Sequence, residues 1–200
     1  MAGPRAERPS NELKFETANP VVRAMIGGFF SRLGALVAPL APASTLDAGC
    51  GEGETLVRLG PLLGGRVSAV DLSAYSVGRV GERLPAVDAR VASVTDLPFA
   101  GASFDLVLCL EVLEHLDEPA AAVRELARVA ASDVVVSVPH EPWFRIGSLL
   151  RGKHVRALGN HPEHVNHYNR RSLAALLEPA LGVATITTAF PWLIAHGRPR

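Results

Sequence analysis

The stretch LDAGCGEGE, residues 46–54, decides how the rest of the chain reads. Ser44-Thr45-Leu46-Asp47-Ala48 reads as a short strand ending in an acid. Glycines at 49, 51 and 53 then let the backbone turn tightly and meet a ligand with no Cβ in the way. A helix opens there with free N–H groups and runs to about Leu59. The spacing is G-x-G-x-G, not the G-x-G-x-x-G of dinucleotide folds. Asp47, Glu52 and Glu54 surround the loop. Three carboxylates repel a diphosphate and suit a cationic ligand.

Upstream, Val22, Met25, Ile26, Phe29, Phe30, Leu33, Leu36 and Val37 recur at helical spacing, and Pro39 and Pro42 stop the pattern. Downstream, Arg66 to Val70 is a second strand, followed by Asp71. Ser73 caps a helix to about Arg83. Val87 to Ala92 is a third strand. Phe104 to Leu110 is a fourth, apolar on both faces after Asp105, as in a central parallel strand. Pro119 opens a helix at its favoured first position, and Asp133 to Val138 is a fifth strand. Asn169 caps a last helix through Leu177. Val183 to Phe190 and Trp192 to Ala195 form a closing pair joined at Pro191. This order predicts an α/β fold with a mostly parallel sheet and helices on both faces. Ligands in such sheets bind outside the carboxyl ends of the strands.

Composition agrees with one globular domain: 200 residues, 48% apolar and 20% charged. Lys plus Arg equals Asp plus Glu at 20 each, so the basic excess of a nucleic-acid binder is missing, and no nucleic-acid partner is expected. Cys50 and Cys109 cannot make a disulfide framework, which favours a cytoplasmic setting. No run of 18 uninterrupted apolar residues is present, so no membrane span is expected. Residues 1–12 read as a flexible tail and 13–200 as one domain.

Asp71 lies 24 residues after Asp47, and a carboxylate there can accept both hydroxyls of a ribose. Asp96 beside Leu97 suits an adenine, the acid taking the amino group and the leucine covering the ring. The runs LDAGCGEGE (46–54), VDLS (70–73), VTDLPF (94–99) and FDLVLCLEVLEHL (104–116) closely resemble, in order and interval, the class I S-adenosylmethionine-dependent methyltransferases. The resemblance implies a Rossmann-like three-layer α/β sandwich: a mostly parallel seven-stranded sheet with a C-terminal antiparallel hairpin at 183–195. It implies S-adenosylmethionine as cofactor and S-adenosylhomocysteine as product. Asp47, Gly49, Cys50, Gly51 and Gly53 would line the methionine end, Asp71 and Leu72 the ribose, Asp96 and Leu97 the adenine, and Glu111 the methionine side. The helix at 21–37 would cover the pocket. An acidic loop suits a cofactor that carries a sulfonium and an ammonium group.

Methyl transfer is a displacement on an activated carbon, dominated by positioning. A base is needed only where the acceptor must lose a proton. The segment from His140 to Tyr168 is long for a strand-to-helix connection and reads as an acceptor-binding insertion. It holds His140, His154, His161, His164 and His167 with Arg145, Arg151, Lys153 and Arg156. Glu163 can orient His164, so His164, His115 and His140 are the candidate bases. Glu111, Glu114 and His115 can converge on one helical face, as in the similar ubiquinone-biosynthesis methyltransferases that use a metal, but a metal is not expected here. Trp143, Phe144, Ile146, Leu149 and Leu150 read as a packed lid helix, with membrane contact as the alternative. The expectation is a methyltransferase acting on a small molecule at oxygen, as monomer or homodimer. The alternatives are a lipid-like or quinone acceptor at a membrane surface, or a non-catalytic cofactor-binding module.

Overall fold

The computed structural model describes residues 19–141 and 165–200. The first helix, α1 (Pro20–Val37), starts where Asn19 accepts the Val21 and Val22 N–H groups and Pro20 has no N–H to satisfy. A 3-10 turn at Ala38–Leu40 ends it. Then follow β1 (Ser44–Ala48), α2 (Glu54–Leu59), β2 (Arg66–Asp71), α3 (Ala74–Arg83), β3 (Asp88–Val91) and β4 (Phe104–Leu110). The chain continues through α4 (Pro119–Val129), β5 (Ala130–Pro139), α5 (Arg170–Leu177), β6 (Leu181–Ala189) and β7 (Trp192–Pro199).

The strands form one sheet in the order β3-β2-β1-β4-β5-β7-β6. The first five pair in parallel, and β7 runs antiparallel to both β5 and β6. The chain steps outward from β1 to β3, then returns to the other side of β1 with β4. That reversal opens a crevice at the carboxyl ends of β1 and β4. The expected Rossmann-like sandwich with its closing hairpin is therefore present.

Strand β4 shows why its sequence is apolar on both faces. Val107 and Cys109 pack with Ala122, Leu126 and Leu173 of α4 and α5. Leu106 and Leu108 pack on the other face with Phe29, Leu33 and Leu56 of α1 and α2. Asp105 is the polar exception, and it serves the amino edge: Oδ2 accepts the Ala43 and Ser44 N–H groups and the Ser44 hydroxyl.

Strands β5, β6 and β7 run further than the apolar pattern suggests, β6 by starting at Leu181. β5 starts at Ala130, directly after α4, and crosses a register shift between Phe104 and Leu106 of its partner. β7 continues past Ala195 because its polar end is anchored. Buried Asp133 accepts from His196 Nε2 at 2.7 Å and Arg198 Nε at 3.2 Å. The stretch Pro20–Leu40 is long and apolar enough to cross a membrane by length and composition, with mean hydropathy 1.5. The criterion of 18 uninterrupted apolar residues passes over it because Arg23, Ser31 and Arg32 break the run. Ile26, Phe29, Phe30, Leu33 and Val37 are nonetheless seated in the core.

Candidate cofactor and acceptor site

The glycine loop docks onto the end of β2. The N–H groups of Gly49 and Cys50 both donate to the Val70 carbonyl, at 2.8 and 2.9 Å. Gly49 has φ +86°, and a Cβ there would lie 2.4 Å from Val112 Cγ2, so glycine is required twice over. The Gly51 N–H donates to Asp71 Oδ2 at 2.8 Å, and the Ser73 N–H to Asp71 Oδ1 at 2.9 Å. Each Asp71 oxygen thus holds one backbone N–H and keeps a second lone pair for a ligand hydroxyl. Leu72 beside it is exposed.

Asp47 sits beneath this loop at 1% exposure. Its Oδ2 is buried and has no hydrogen-bond partner among the described residues. Burial first, and the neighbouring Asp71 charge second, push its carboxyl up to about 7. The other acids of the loop play different parts. Glu54 is met by Arg58 at 2.6 Å and Arg83 at 3.3 Å. Arg83 also donates to the Glu52 carbonyl, tying α3 to the loop. Of the loop's acids, Glu54 is thus paired with arginines, while Asp47 and Asp71 face the glycines without one among the described residues. Cys50 is buried, and burial followed by Asp47 and Asp71 raises its thiol well above the ordinary value, so it is no nucleophile.

Past β3, Asp96 is exposed at a turn closed by its N–H on the Ser93 carbonyl. Leu97 is 3% exposed and packed in the core. Its N–H donates to Glu125 Oε2, and its carbonyl accepts from Arg128 Nη2. The Asp96–Leu97 step is thereby fixed from below by α4.

Past β4, Glu111 adopts φ 58°, a left-handed conformation that a side chain other than glycine adopts at a cost of roughly 1–3 kcal/mol. Its N–H donates to the Ser137 carbonyl, and its Oε1 accepts from Ser137 Oγ, both at 3.0 Å. A 3-10 turn, Leu113–His115, follows. Glu111 lies outside this turn, Glu114 is buried and His115 is exposed, so the three do not share one helical face. Among the described residues no three His, Cys, Asp or Glu side chains form a metal-holding group.

Past β5, His140 continues the carboxyl edge. Its N–H donates to the Pro191 carbonyl at 2.9 Å, and it bridges to Tyr168. Its Nδ1 is buried with no hydrogen-bond partner among the described residues. Burial, then the Arg170 charge, holds the ring below the ordinary histidine value. The returning chain is clasped to the turn after β4. Val165 and Asn166 N–H groups donate to the Glu114 carbonyl at 2.9 and 3.0 Å. Asn166 Nδ2 donates to the Leu116 carbonyl at 2.6 Å, and the Tyr168 hydroxyl to the Leu113 carbonyl at 3.3 Å. Tyr168 is raised to about 12 by burial, with Glu114 second. His167 is exposed; His164, the rest of the insertion from 142 to 164 with its apolar cluster, and the tail at 1–12 lie outside the described residues.

The sequence pattern of the methyltransferase domain matches residues 46–138. A probable S-adenosylmethionine-dependent methyltransferase of Mycobacterium tuberculosis is 32% identical over 191 residues, covering 87% of this chain and 66% of the relative. The chain belongs to the class I S-adenosylmethionine-dependent methyltransferases. A ubiquinone biosynthesis O-methyltransferase of Xanthomonas oryzae is 43% identical over 98 residues, covering 45% of this chain and 39% of that protein. The magnesium protoporphyrin IX methyltransferase of Synechocystis, solved with bound S-adenosylhomocysteine, matches the fold with TM-score 0.70 at 20% identity, covering 95% of this chain and 92% of that one. The chain thus spans just under two thirds of the mycobacterial relative.

The methyltransferase loop fits the family's cofactor on its own chemistry. A buried carboxylate oxygen without a partner is costly, and a cationic sulfonium or ammonium group is the partner that relieves it. Sequence reasoning missed the polar supports of this methyltransferase site: Ser137 under Glu111, Glu125 and Arg128 under Leu97, and Asn166 and Tyr168 on the turn after β4. Only Asn166 carried a signal, as a turn-forming residue ahead of the last helix.

Proposed function

We propose that this chain transfers a methyl group from S-adenosylmethionine to the oxygen of a small-molecule acceptor. The observation that carries the reading is Asp47: a buried carboxylate whose Oδ2 has no hydrogen-bond partner among the described residues, beside Asp71, under a glycine loop at the sheet's switch point. When bound, the cofactor supplies a methyl carbon activated by a positive sulfur. Asp47 balances that positive charge within the low-dielectric interior. Asp71 accepts the ribose hydroxyls on the lone pairs that Gly51 and Ser73 leave free. Asp96 takes the adenine amino group, with Leu97 packed beneath it and Leu72 at the ribose edge. Gly49, Cys50, Gly51 and Gly53 provide backbone contact, and Glu111, fixed by Ser137, holds the methionine side.

The acceptor enters through the insertion at about 140–168. Its two ends support this placement, because the Glu141 N–H donates to the Tyr168 carbonyl and Val165 is tied to the turn after β4. Both therefore meet at the carboxyl edge of the sheet, beside Glu111. Incubation with methyl-deuterated S-adenosylmethionine and a panel of phenols, quinols, sugars and amines tests the reading. Label on a hydroxyl supports it. Cofactor binding with no label on any acceptor would favour the non-catalytic module instead.

A second reading, transfer to a lipid-like or quinone acceptor at a membrane surface, is supported by α1. Only 28% of its apolar window is buried, and its exposed positions include Val21, Arg23 and Arg32. Cationic side chains beside apolar ones suit an anionic interface. Flotation with anionic liposomes separates the two: co-flotation favours the membrane reading, and absence of it the freely diffusing acceptor.

A further inference from the structure

We propose that His140 is the general base of this methyltransferase and that the acceptor group is accordingly a protonated hydroxyl. The inference rests on the methyl-transfer reading above and adds the acceptor's chemistry to it.

The placement comes first. His140 directly follows β5, the strand next to β4, at the carboxyl edge where β4 turns into Glu111. The glycine loop at the end of β1 is two strands away, roughly 10 Å at the usual strand spacing. An acceptor of a few heavy atoms spans such a gap. The backbone holds this position firmly, through the His140 N–H on Pro191 and the bridge to Tyr168. The base therefore stands on the rigid sheet edge rather than on a free loop.

The second observation is the unpartnered nitrogen. His140 Nδ1 is shielded from solvent and meets no hydrogen-bond partner among the described residues. Buried polar atoms in native structures have partners, and the exceptions call for an explanation. A donor arriving with the substrate is that explanation here, and a hydroxyl is a donor of the right kind. Arg170 is fixed nearby, donating to the Ile186 carbonyl and to Thr188 Oγ1. Its charge and the burial both favour the neutral imidazole, the form that takes a proton. His115, by contrast, is exposed and lies 3.9 Å from Glu114 Oε1.

The chemistry then selects the acceptor. A neutral amine attacks with its own lone pair and a carboxylate is already ionised, so neither needs a base. A hydroxyl does. Its proton passes to Nδ1 while an oxygen lone pair forms the new O–CH₃ bond. The C–S bonding pair stays on sulfur and cancels its positive charge. The imidazolium afterwards returns the proton to water.

The test compares the parent with His140→Asn and His140→Gln, using catechol and 4-nitrocatechol as probes at a pH where only the latter is ionised. Asparagine places an acceptor oxygen near Nδ1 but cannot take a proton. Calorimetry with S-adenosylmethionine shows that each variant is folded and loaded, and separately decides the underlying methyltransferase reading. The expected result is a loss of about 100-fold or more in catechol turnover and under about fivefold with nitrocatechol, with cofactor affinity unchanged. Equal losses on both probes assign His140 a merely structural role and overturn the proposal. No loss on either overturns it as well. So does a parent that binds the cofactor but methylates neither hydroxyl probe.

Discussion

Replacing Asp47 with asparagine separates what the site needs from what the fold prefers. The Asp47 carboxyl is raised from 3.8 to about 7 by burial and then by Asp71. Its contribution to stability is therefore fully present below about pH 4 and is lost as pH rises through about 7. The interval is roughly three pH units, and at about 1.36 kcal/mol per unit the charged site costs the folded protein up to about 4 kcal/mol at pH 8. Asp47→Asn carries no such charge. Its stability relative to the parent is expected to grow by about 2.7 kcal/mol between pH 5 and pH 8, the part of that interval lying above pH 5, on top of a constant offset for whatever the buried amide loses in hydrogen bonding. For a chain of this size that is a melting shift of roughly 5–11 °C. The histidine held below its ordinary value, His140, loses stability in the opposite direction, as pH falls. It is common to both proteins and cancels in the difference. The assay is urea unfolding of ligand-free parent and variant from pH 5 to pH 8. A difference that does not change with pH would refute the buried-charge argument. The same variant is expected to bind S-adenosylmethionine at least tenfold more weakly, because the cation loses its partner.

Three further outcomes follow from the same geometry. Asp71→Ala removes the anchor of the Gly51 and Ser73 N–H groups as well as two ribose contacts, so calorimetry is expected to show cofactor affinity weaker by about 1–3 kcal/mol; unchanged affinity removes Asp71 from that role. Gly49→Ala meets Val112 at 2.4 Å with φ +86° and should destabilise by more than about 1 kcal/mol in thermal unfolding; pairing it with Val112→Ala should recover part of the loss, and no recovery would place the cost in the backbone alone. Asn166→Ala breaks the side-chain bond to the Leu116 carbonyl and should lower stability by about 1 kcal/mol, raise acceptor KM and leave cofactor affinity intact; a variant that loses cofactor affinity equally would show that the clasp does not act on the acceptor side.

What the sequence made legible was whatever depends on local pattern. Apolar periodicity, the caps at Ser73 and Asn169, and the loop at 49–53 each carry a local signal, and all appear where expected. The strand ends that were misjudged depend on partners far away. β7 extends to Pro199 because Asp133, on another strand, holds His196 and Arg198. The charge on the glycine loop was overstated for the same reason, since Arg83 of α3 reaches across to Glu54. Glu111, Glu114 and His115 have helical spacing, but the chain turns at Glu111 with φ 58°, and no periodicity announces that. Leu97 offered a ring-covering ledge by composition, whereas its place in the core follows from packing against α4.

Calorimetric titration of the folded protein with S-adenosylmethionine and S-adenosylhomocysteine, at pH 6 in two buffers of different ionisation enthalpy, tests the central claim most directly. Binding of both at micromolar concentration, with S-adenosylmethionine uptake releasing a proton as Asp47 ionises against the cation, is the expected result. Absence of binding by either compound would contradict the assignment of this glycine loop as a cofactor site.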